Sequence, residues 1–472
     1  MCQKEAGRFA GVVQLIGNAC QNPVFLLYCM IVKTVSEQLV KSRKGKVSRL
    51  QTKAVRIYGV KDLRLEEFEL PVMGEDEIQA RIITDSLCMS TYKVANQGAR
   101  HKKLPDNLAE NPVIMGHEFC GVIEAVGKKW QHLYKPGDKF VAQPNLGRAD
   151  TFSLGYSFPY VGGEATKVII MNEAMEKGCL LPYQGESFFE GALVEPLSCV
   201  IAGFKANFHL RDRNEYDHTM GIREGGAMAI LGGTGPMGSL AVDYAVHGEK
   251  KPSVLVVTGS TKEKLERSRK LYPPEEAKKH GVSLHYVLTP RESDFVEELK
   301  SLTPGNQGFD DIFLMVAQES MVTKAEALLA PDGCLNFFAG PADSGFSARM
   351  NFYNLHYNAT HFVGTSGSNT QDMKDAIACI EKKTVNLAKI ATHVMGLNDV
   401  CESILKIPEL PGGKKIVYSQ KNYPITDVGA FSEQDELGAA LKALVEKHDG
   451  LWNAEAEAYF LEHCPNIQEN AD

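Results

Sequence analysis

With 472 residues the chain is too long for one compact core, so two domains plus extensions are expected. It is 44% hydrophobic and 23% charged, with 42 glycines, a composition that fits a soluble α/β protein full of tight turns. A formal net charge of −8 excludes a general nucleic-acid or anionic-membrane surface, which needs clustered Lys and Arg, but leaves room for a local basic pocket that takes a small phosphorylated molecule. Eleven cysteines, none in a C-x-x-C pair, read as thiols of a reducing compartment, with the cytoplasm as default.

The first segment, 1–52, reads as an extension without an ordered core. Its stretch "VFLLYCMIV" (Val24 to Val32) is apolar for only nine residues and is followed by a basic run from Lys33 to Arg49. A spanning helix needs roughly 20 apolar residues, and a signal peptide carries its positive charge before the apolar run, so both membrane readings fit poorly.

Residues 53–214 read as a β-rich domain. "TKAVRIYGV", "LRLEEFELP", "EIQARIITDSLC", "GVIEAVG", "GDKFVAQ" and "EATKVIIM" alternate apolar with polar residues and end at turn formers. Within it, "VIMGHEFCGVIEAVG" (Val113 to Gly127) sets His117, Glu118 and Cys120 in apolar company. That local pattern fits a metal site or three residues absorbed by a core. Partners exist elsewhere: Cys88 in "DSLCMSTYK" and Glu195 in "ALVEPLSC". Catalytic zinc commonly takes three ligands from Cys, His and Asp/Glu, so Cys88, His117, Glu118 and Glu195 are able to form such a site. Taken singly, Cys88 is equally a core thiol, Glu118 a surface acid and Glu195 a helix-end charge. The loop "QGARHKKLP" clusters Arg100, His101, Lys102 and Lys103, which suits a phosphate cradle or a merely solvated basic loop, and Arg148 is a weaker candidate for the same role.

Residues 215–365 change texture. "AMAILGG", "SVLVVTGS", "LHYVLTP", "DDIFLMVA" and "GCLNFFAG" are apolar strands separated by helical spacers, including Pro236 to His247 and Lys262 to Leu271. This pattern implies a parallel sheet covered on both faces, a doubly wound Rossmann domain. Between the first strand and its helix lies Gly233-Thr234-Gly235-Pro236-Met237-Gly238, the G-x-G-x-x-G of a dinucleotide site in its required context. Gly233 is expected to make the tight turn, Gly235 to admit the pyrophosphate and Gly238 to pack helix on sheet. The second strand ends in Thr258-Gly259-Ser260 without a carboxylate, and Lys262, Lys264 and Arg267 follow, which favours NADP(H), with Ser260 near its 2′-phosphate, over NAD(H). Residues 366–421 return to the first domain, and 422–472 form a polar tail with a helix around Glu433 to His448.

The order of these motifs, with Cys88, the G-H-E, "GGEATKVII", the E-P-L and then the nucleotide fold, resembles the zinc-dependent medium-chain dehydrogenases from about Lys53 to Ser419. The G-H-E and E-P-L motifs resemble the polyol (sorbitol) dehydrogenase branch, and "NPVIMGHEFCG" with the ending "GLWNAEAEAYFLEH" is most similar to L-sorbose-1-phosphate reductases. The resemblance implies a chaperonin-10-like catalytic domain, one catalytic Zn²⁺ held by Cys88, His117 and Glu118, Glu195 ligating the metal or holding its water, and Ser90 passing the substrate proton. It also implies a dimer or tetramer. Thr91 stands where the family usually has an aspartate that orients the histidine. "AQPNLGRADTFSLGYSFPYVGG" lacks the cysteines of the structural zinc lobe, so that second zinc is not expected, and Cys120, without companion thiols, reads as core. The implied reaction interconverts a ketose phosphate and a polyol phosphate, L-sorbose 1-phosphate and D-glucitol 6-phosphate foremost. An unphosphorylated polyol dehydrogenase, a zinc-free quinone or enone reductase and a non-enzymatic binding protein are the alternatives.

Overall fold

Half-buried alternation and continuous apolar runs produce two kinds of sheet in the computed structural model, which describes residues 50–212, 216–290 and 293–467. The apolar run Val24 to Val32 and the basic run after it lie outside these. The first half supplies β1 (Gln51–Gly59), β2 (Asp62–Glu69), β3 (Ile78–Ser86), β4 (Val113–Ile114), β5 (Cys120–Val126), β6 (Lys139–Ala142), β7 (Lys167–Ile170) and β8 (Leu180–Pro182). β2, β1 and β4 make a small antiparallel sheet. A short hairpin, β9 (Phe208–Leu210) and β10 (His218–Met220), precedes the nucleotide-binding part.

There β11 (Ala227–Leu231), β12 (Val254–Gly259), β13 (Ser283–Leu288), β14 (Phe309–Leu314), β15 (Leu329–Phe337) and β16 (His361–Gly364) form an all-parallel sheet in the order β13-β12-β11-β14-β15-β16. All five residues of β11 are buried, as both-face coverage requires. The order reverses between β11 and β14, where a doubly wound sheet opens its ligand crevice.

The chain then returns. β17 (Ala391–Gly396), β18 (Lys414–Tyr418) and β19 (Thr426–Asp427) complete an eight-stranded sheet in the order β19-β17-β18-β3-β5-β6-β8, with β7 also on β3. The helices Val194–Ala206 and Thr370–Glu381 pack together, and Lys205 Nζ donates to Asp372 Oδ1 at 2.8 Å. Phe204 on the first of them meets Tyr244 and Phe313 edge-on at 5.0 and 4.8 Å, joining one buried core to the parallel sheet.

The tail differs from the expected polar appendage with one helix. Helices Glu436–Glu446 and Ala454–His463 are capped by Asp435 and Asn453, whose side chains accept from Gly438 N and Ala456 N. Trp452 between them is wholly buried and donates Nε1–H to Tyr418 OH at 2.7 Å. Glu457 accepts from the amides of Phe188 and Phe189 at 2.6 and 2.7 Å and from Tyr418 OH at 2.9 Å. "GLWNAEAEAYFLEH" reads as polar because its apolar residues fall on one helical face, and that face is buried.

Candidate active site

β3 runs between β5 and β18, both antiparallel to it, so its carboxyl end meets the amino ends of both neighbours. Thr84 faces Cys120 in one register and Ser86 faces Ile416 in the other. His117 and Glu118, just before β5, and Lys414, opening β18, therefore converge on Cys88, just after β3. Ser86 N donates to Glu118 O at 3.1 Å and Glu118 N to Asp85 Oδ1 at 3.0 Å, which fixes the approach. Gly116 has φ of 90°, and a Cβ there would lie 2.5 Å from Asp85 Oδ2, so the turn into His117 requires glycine.

Cys88, His117 and Glu118 present ligand atoms within 4.8 Å of one another. Thiol sulfur, imidazole nitrogen and carboxylate oxygen in a buried pocket are a donor set that catalytic zinc takes, so these residues fit the metal. Ser90, the second residue of the helix Met89–Gln97, lies against two of them: its Oγ is 3.0 Å from Cys88 Sγ and 3.2 Å from His117 Nε2. Thr91 Oγ1 stands 3.5 Å from His117 Nδ1, on the side of the ring where an orienting partner belongs.

Electrostatics suit the arrangement. Burial, followed by the ammoniums of Lys103 and Lys414, holds His117 well below its ordinary range, leaving a neutral imidazole. Burial, followed by Glu118, pushes the metal-free Cys88 thiol up to about 11. Glu195, in the first turn of Val194–Ala206, is buried beside this group and outside the three, accepts from Cys199 Sγ at 3.4 Å, and is pushed up to about 7 by burial and then by Glu118. Cys120 is fully buried, and burial raises its thiol.

Five participants carry no flag in the sequence. Lys414 Nζ donates to both Glu118 oxygens, at 2.6 and 2.5 Å, in a fully buried ion pair, and Ser86 Oγ donates to Glu118 Oε2 as well. Burial opposes the Lys414 charge, but Glu118 more than restores it and raises its pKa. Tyr156 OH lies 2.9 Å from His117 Nε2 and 2.7 Å from Ser90 Oγ. Beneath the site Asp85 and Glu164 are wholly buried, and burial raises both carboxyls; among the described residues Asp85 Oδ2 and both Glu164 oxygens lack hydrogen-bond partners. The available signals were a lysine opening the apolar "KKIVYS", and polar residues inside segments otherwise packed with glycine and aromatics.

The basic loop divides. Arg100 and Lys102 are exposed, His101 is half-buried, and Lys103 turns inward with Nζ 4.4 Å from the centre of the Tyr156 ring. Arg148 is paired with Asp150 and Glu173, both at 2.6 Å, so its charge is compensated away from the ligands.

At the dinucleotide turn Gly232, one position ahead of the motif, adopts the left-handed conformation, with φ of 72°. Gly233 follows in the turn, its N donating to Thr258 O at 2.9 Å. Gly235 caps the helix Pro236–His247, and a Cβ there would meet nothing within 4 Å, leaving its amide side open to a pyrophosphate. A Cβ on Gly238 would lie 2.3 Å from Gly233 O, so helix and turn touch backbone to backbone. Thr234 Cγ2 packs toward Gly259, and Met237 joins the core. The Thr258 hydroxyl accepts from Gly232 N at 3.0 Å; Ser260, Lys262 and Lys264 are exposed beyond the strand, and Arg267 is partly buried. The turn thus fits a dinucleotide.

Family models match twice: an alcohol dehydrogenase GroES-like domain over residues 74–177 and a zinc-binding dehydrogenase domain over residues 236–382. L-sorbose 1-phosphate reductase of Klebsiella pneumoniae is 53% identical over 417 residues, covering 88% of this chain and 98% of its own. Mannitol-1-phosphate 5-dehydrogenase of Aliivibrio fischeri is 43% identical over 415 residues, covering 87% and 98%. The crystal structure of 2R,3R-butanediol dehydrogenase from Bacillus subtilis superposes with a TM-score of 0.63 at 20% identity, over 78% of this chain and 99% of that one. The chain therefore belongs to the zinc-binding alcohol dehydrogenases of the medium-chain family, in which a GroES-like domain is joined to a Rossmann domain.

Proposed function

We propose that the enzyme reduces a phosphorylated ketose to a polyol phosphate, with L-sorbose 1-phosphate to D-glucitol 6-phosphate as the foremost case. The observation that carries this is the group Cys88, His117 and Glu118 with Ser90 against it, in a chain so similar to a reductase of that name. One zinc is held by Cys88, His117 and Glu118, with Glu195 as alternative ligand or holder of a water. When bound, zinc supplies Lewis-acid polarisation of the carbonyl and the nicotinamide supplies hydride.

The chain's own groups do the rest. Ser90 Oγ passes a proton from solvent to the reduced carbonyl oxygen, which becomes a hydroxyl, and Tyr156 OH, 2.7 Å away, holds the serine hydroxyl in place. Lys414 and Ser86 hold the Glu118 carboxylate aimed at the pocket through hydrogen bonds to its oxygens. At the turn Gly233, Thr234, Gly235, Pro236, Met237 and Gly238 receive the dinucleotide. NADP(H) is the proposed partner, because no carboxylate ends β12 and Ser260, Lys262 and Lys264 are exposed there to meet a 2′-phosphate. A homo-oligomer in the cytoplasm completes the proposal, and among the described residues no helix is long and apolar enough to cross a membrane.

The test is a panel of ketoses, ketose phosphates and polyols with NADPH and NADH, run beside metal analysis and Cys88→Ser. Stoichiometric zinc and reduction of a ketose phosphate that falls about a thousandfold or more in the variant are expected, since a lost metal costs several kcal/mol of transition-state stabilisation. A strong preference for sorbitol with NAD would overturn the substrate and the cofactor, and full activity of Cys88→Ser would remove zinc.

A further inference from the structure

The basic loop poses a choice that bears on where the substrate carries its phosphate. Three of its four residues are poorly placed for the pocket: Arg100 and Lys102 are exposed, and His101 Nδ1 is turned back to accept from Lys103 N at 3.2 Å. Lys103 differs. Its carbonyl accepts from Ser157 Oγ at 2.6 Å, and the preceding carbonyl, of Lys102, accepts from Thr151 Oγ1 at 3.1 Å. The cysteine-free lobe thus grips the loop and presents the Lys103 side chain over Tyr156. The ring of Tyr156 lies 4.5 Å from that of His117, centre to centre, and its hydroxyl touches His117 Nε2 and Ser90.

The Lys103 ammonium makes no hydrogen-bonded ion pair with any described residue; burial lowers its pKa, and Glu195 acts on it from nearby in the opposite sense. A half-buried cation beside metal ligands, held by an aromatic face and lacking a bonded carboxylate, is an electrostatic vacancy for an anion.

Substrate chemistry fixes which anion. In a ketose 1-phosphate the phosphorylated carbon is the neighbour of the carbonyl carbon, and with bonds of about 1.5 Å the phosphorus sits about 4 Å from the reacting centre. In a ketose 6-phosphate four carbon–carbon bonds intervene and the separation reaches roughly 8 Å in an extended chain. The two similar enzymes exemplify both cases by name, since L-sorbose 1-phosphate is reduced beside its phosphate and mannitol 1-phosphate is oxidised at carbon 5, far from it. A cation packed on the residue that touches His117 and Ser90 serves the near phosphate.

The geometry points to Lys103 as the receptor of a phosphate borne on the carbon adjacent to the reacting carbonyl, making the enzyme selective for ketose 1-phosphates over ketose 6-phosphates. This rests on the proposed ketose-phosphate reduction and goes further by naming the position of the phosphate and its binding residue.

The experiment uses the zinc-loaded full chain with NADPH and three substrates: L-sorbose 1-phosphate, D-fructose 6-phosphate and L-sorbose. Wild type is expected to prefer the 1-phosphate. Lys103→Met should lower kcat/KM for it by about tenfold to a hundredfold, the range of a lost charge-assisted hydrogen bond, mostly through KM. The ratio of kcat/KM on the 1-phosphate to that on L-sorbose should collapse, and Lys103→Arg should restore much of it. An equal loss on L-sorbose and its phosphate would make Lys103 structural and overturn the inference, as would a wild-type preference for the 6-phosphate. Turnover of L-sorbose with no turnover of either phosphate would instead strike the ketose-phosphate reading itself, and the inference with it.

Discussion

The pocket around His117 and the turn from Gly232 to Gly238 are built on opposite plans. The pocket consists of side chains delivered by strands and loops from Asp85 to Lys414, several of them buried and charged. The turn consists of the backbone of one short stretch, whose side chains matter chiefly by being absent. A site made of buried charges depends on each partner being present, because an unpaired charge is costly in a medium that cannot solvate it. A site made of amides depends on close approach.

Lys414→Met breaks the first plan most severely. It leaves Glu118 buried beside Cys88 without its cation, and loss of one partner of a buried pair costs about 3–5 kcal/mol. Denaturant unfolding of the metal-free protein should show a loss of that order. Zinc should recover part of it, since the metal brings positive charge to the same carboxylate, and Lys414→Arg should lose less. Unchanged stability in the methionine variant would mean that the Lys414–Glu118 pair adds nothing net to the fold.

A third region sharpens the contrast, because the tail adds a buried carboxyl outside the metal-ligand group. Burial holds Glu457 up at about 7 against the pull of the Phe188 and Phe189 amides and the Tyr418 hydroxyl. The native carboxyl therefore binds its proton at a higher pH than the unfolded one, whose ordinary value is 4.5. Its contribution is complete below about 4.5 and is lost as the pH rises through about 7, a swing of about 3 kcal/mol at 1.36 kcal/mol per unit. Glu457→Gln should remove that slope from the stability profile between pH 5 and pH 7, while lowering stability because its NH₂ must face a backbone N–H donor. Parallel profiles for the two proteins would place the titration elsewhere.

Gly238→Ala tests the second plan. Its Cβ would lie 2.3 Å from Gly233 O, so the helix must move off the turn, and overpacking of this kind costs about 1–3 kcal/mol. Titration of cofactor fluorescence should show weakened dinucleotide binding with zinc content intact. Loss of zinc as well would show that the two sites do not stand apart.

These plans account for what could be read from the amino acids. The turn was legible because its residues are contiguous and bounded by a strand and a helix; the left-handed φ of 72° at Gly232 was not, since that glycine stands one position ahead of the G-x-G-x-x-G spacing. Cys88, His117 and Glu118 were legible through motifs and resemblance. Lys414 was not, because its role arises from the register of β18 on β3, a pairing of residues more than three hundred positions apart. Tyr156 escaped for a similar reason: its segment drew notice for the cysteines it lacks. The tail read as polar because its capping acids and surface glutamates outnumber the residues around Trp452 that it buries.

Thr91 is where the two descriptions meet, and it calls for the finest measurement. A metal-bound histidine usually donates its second N–H to a carboxylate or carbonyl, and losing that partner costs about 10–100-fold in metal affinity. Here the partner atom is a neutral hydroxyl at 3.5 Å, at the limit of a hydrogen bond, so Thr91→Val should weaken zinc by no more than about tenfold. Thr91→Asp should tighten it if the added carboxylate reaches His117 Nδ1, although Thr91 is buried and a second acid near Glu118 must be desolvated. Competition with a chelator at fixed pH measures both. Affinity that is lower in the valine variant and higher in the aspartate variant would identify the hydroxyl as a weakened version of the usual orienting contact. Equal affinity in all three would mean that His117 is oriented through its packing on Tyr156 alone.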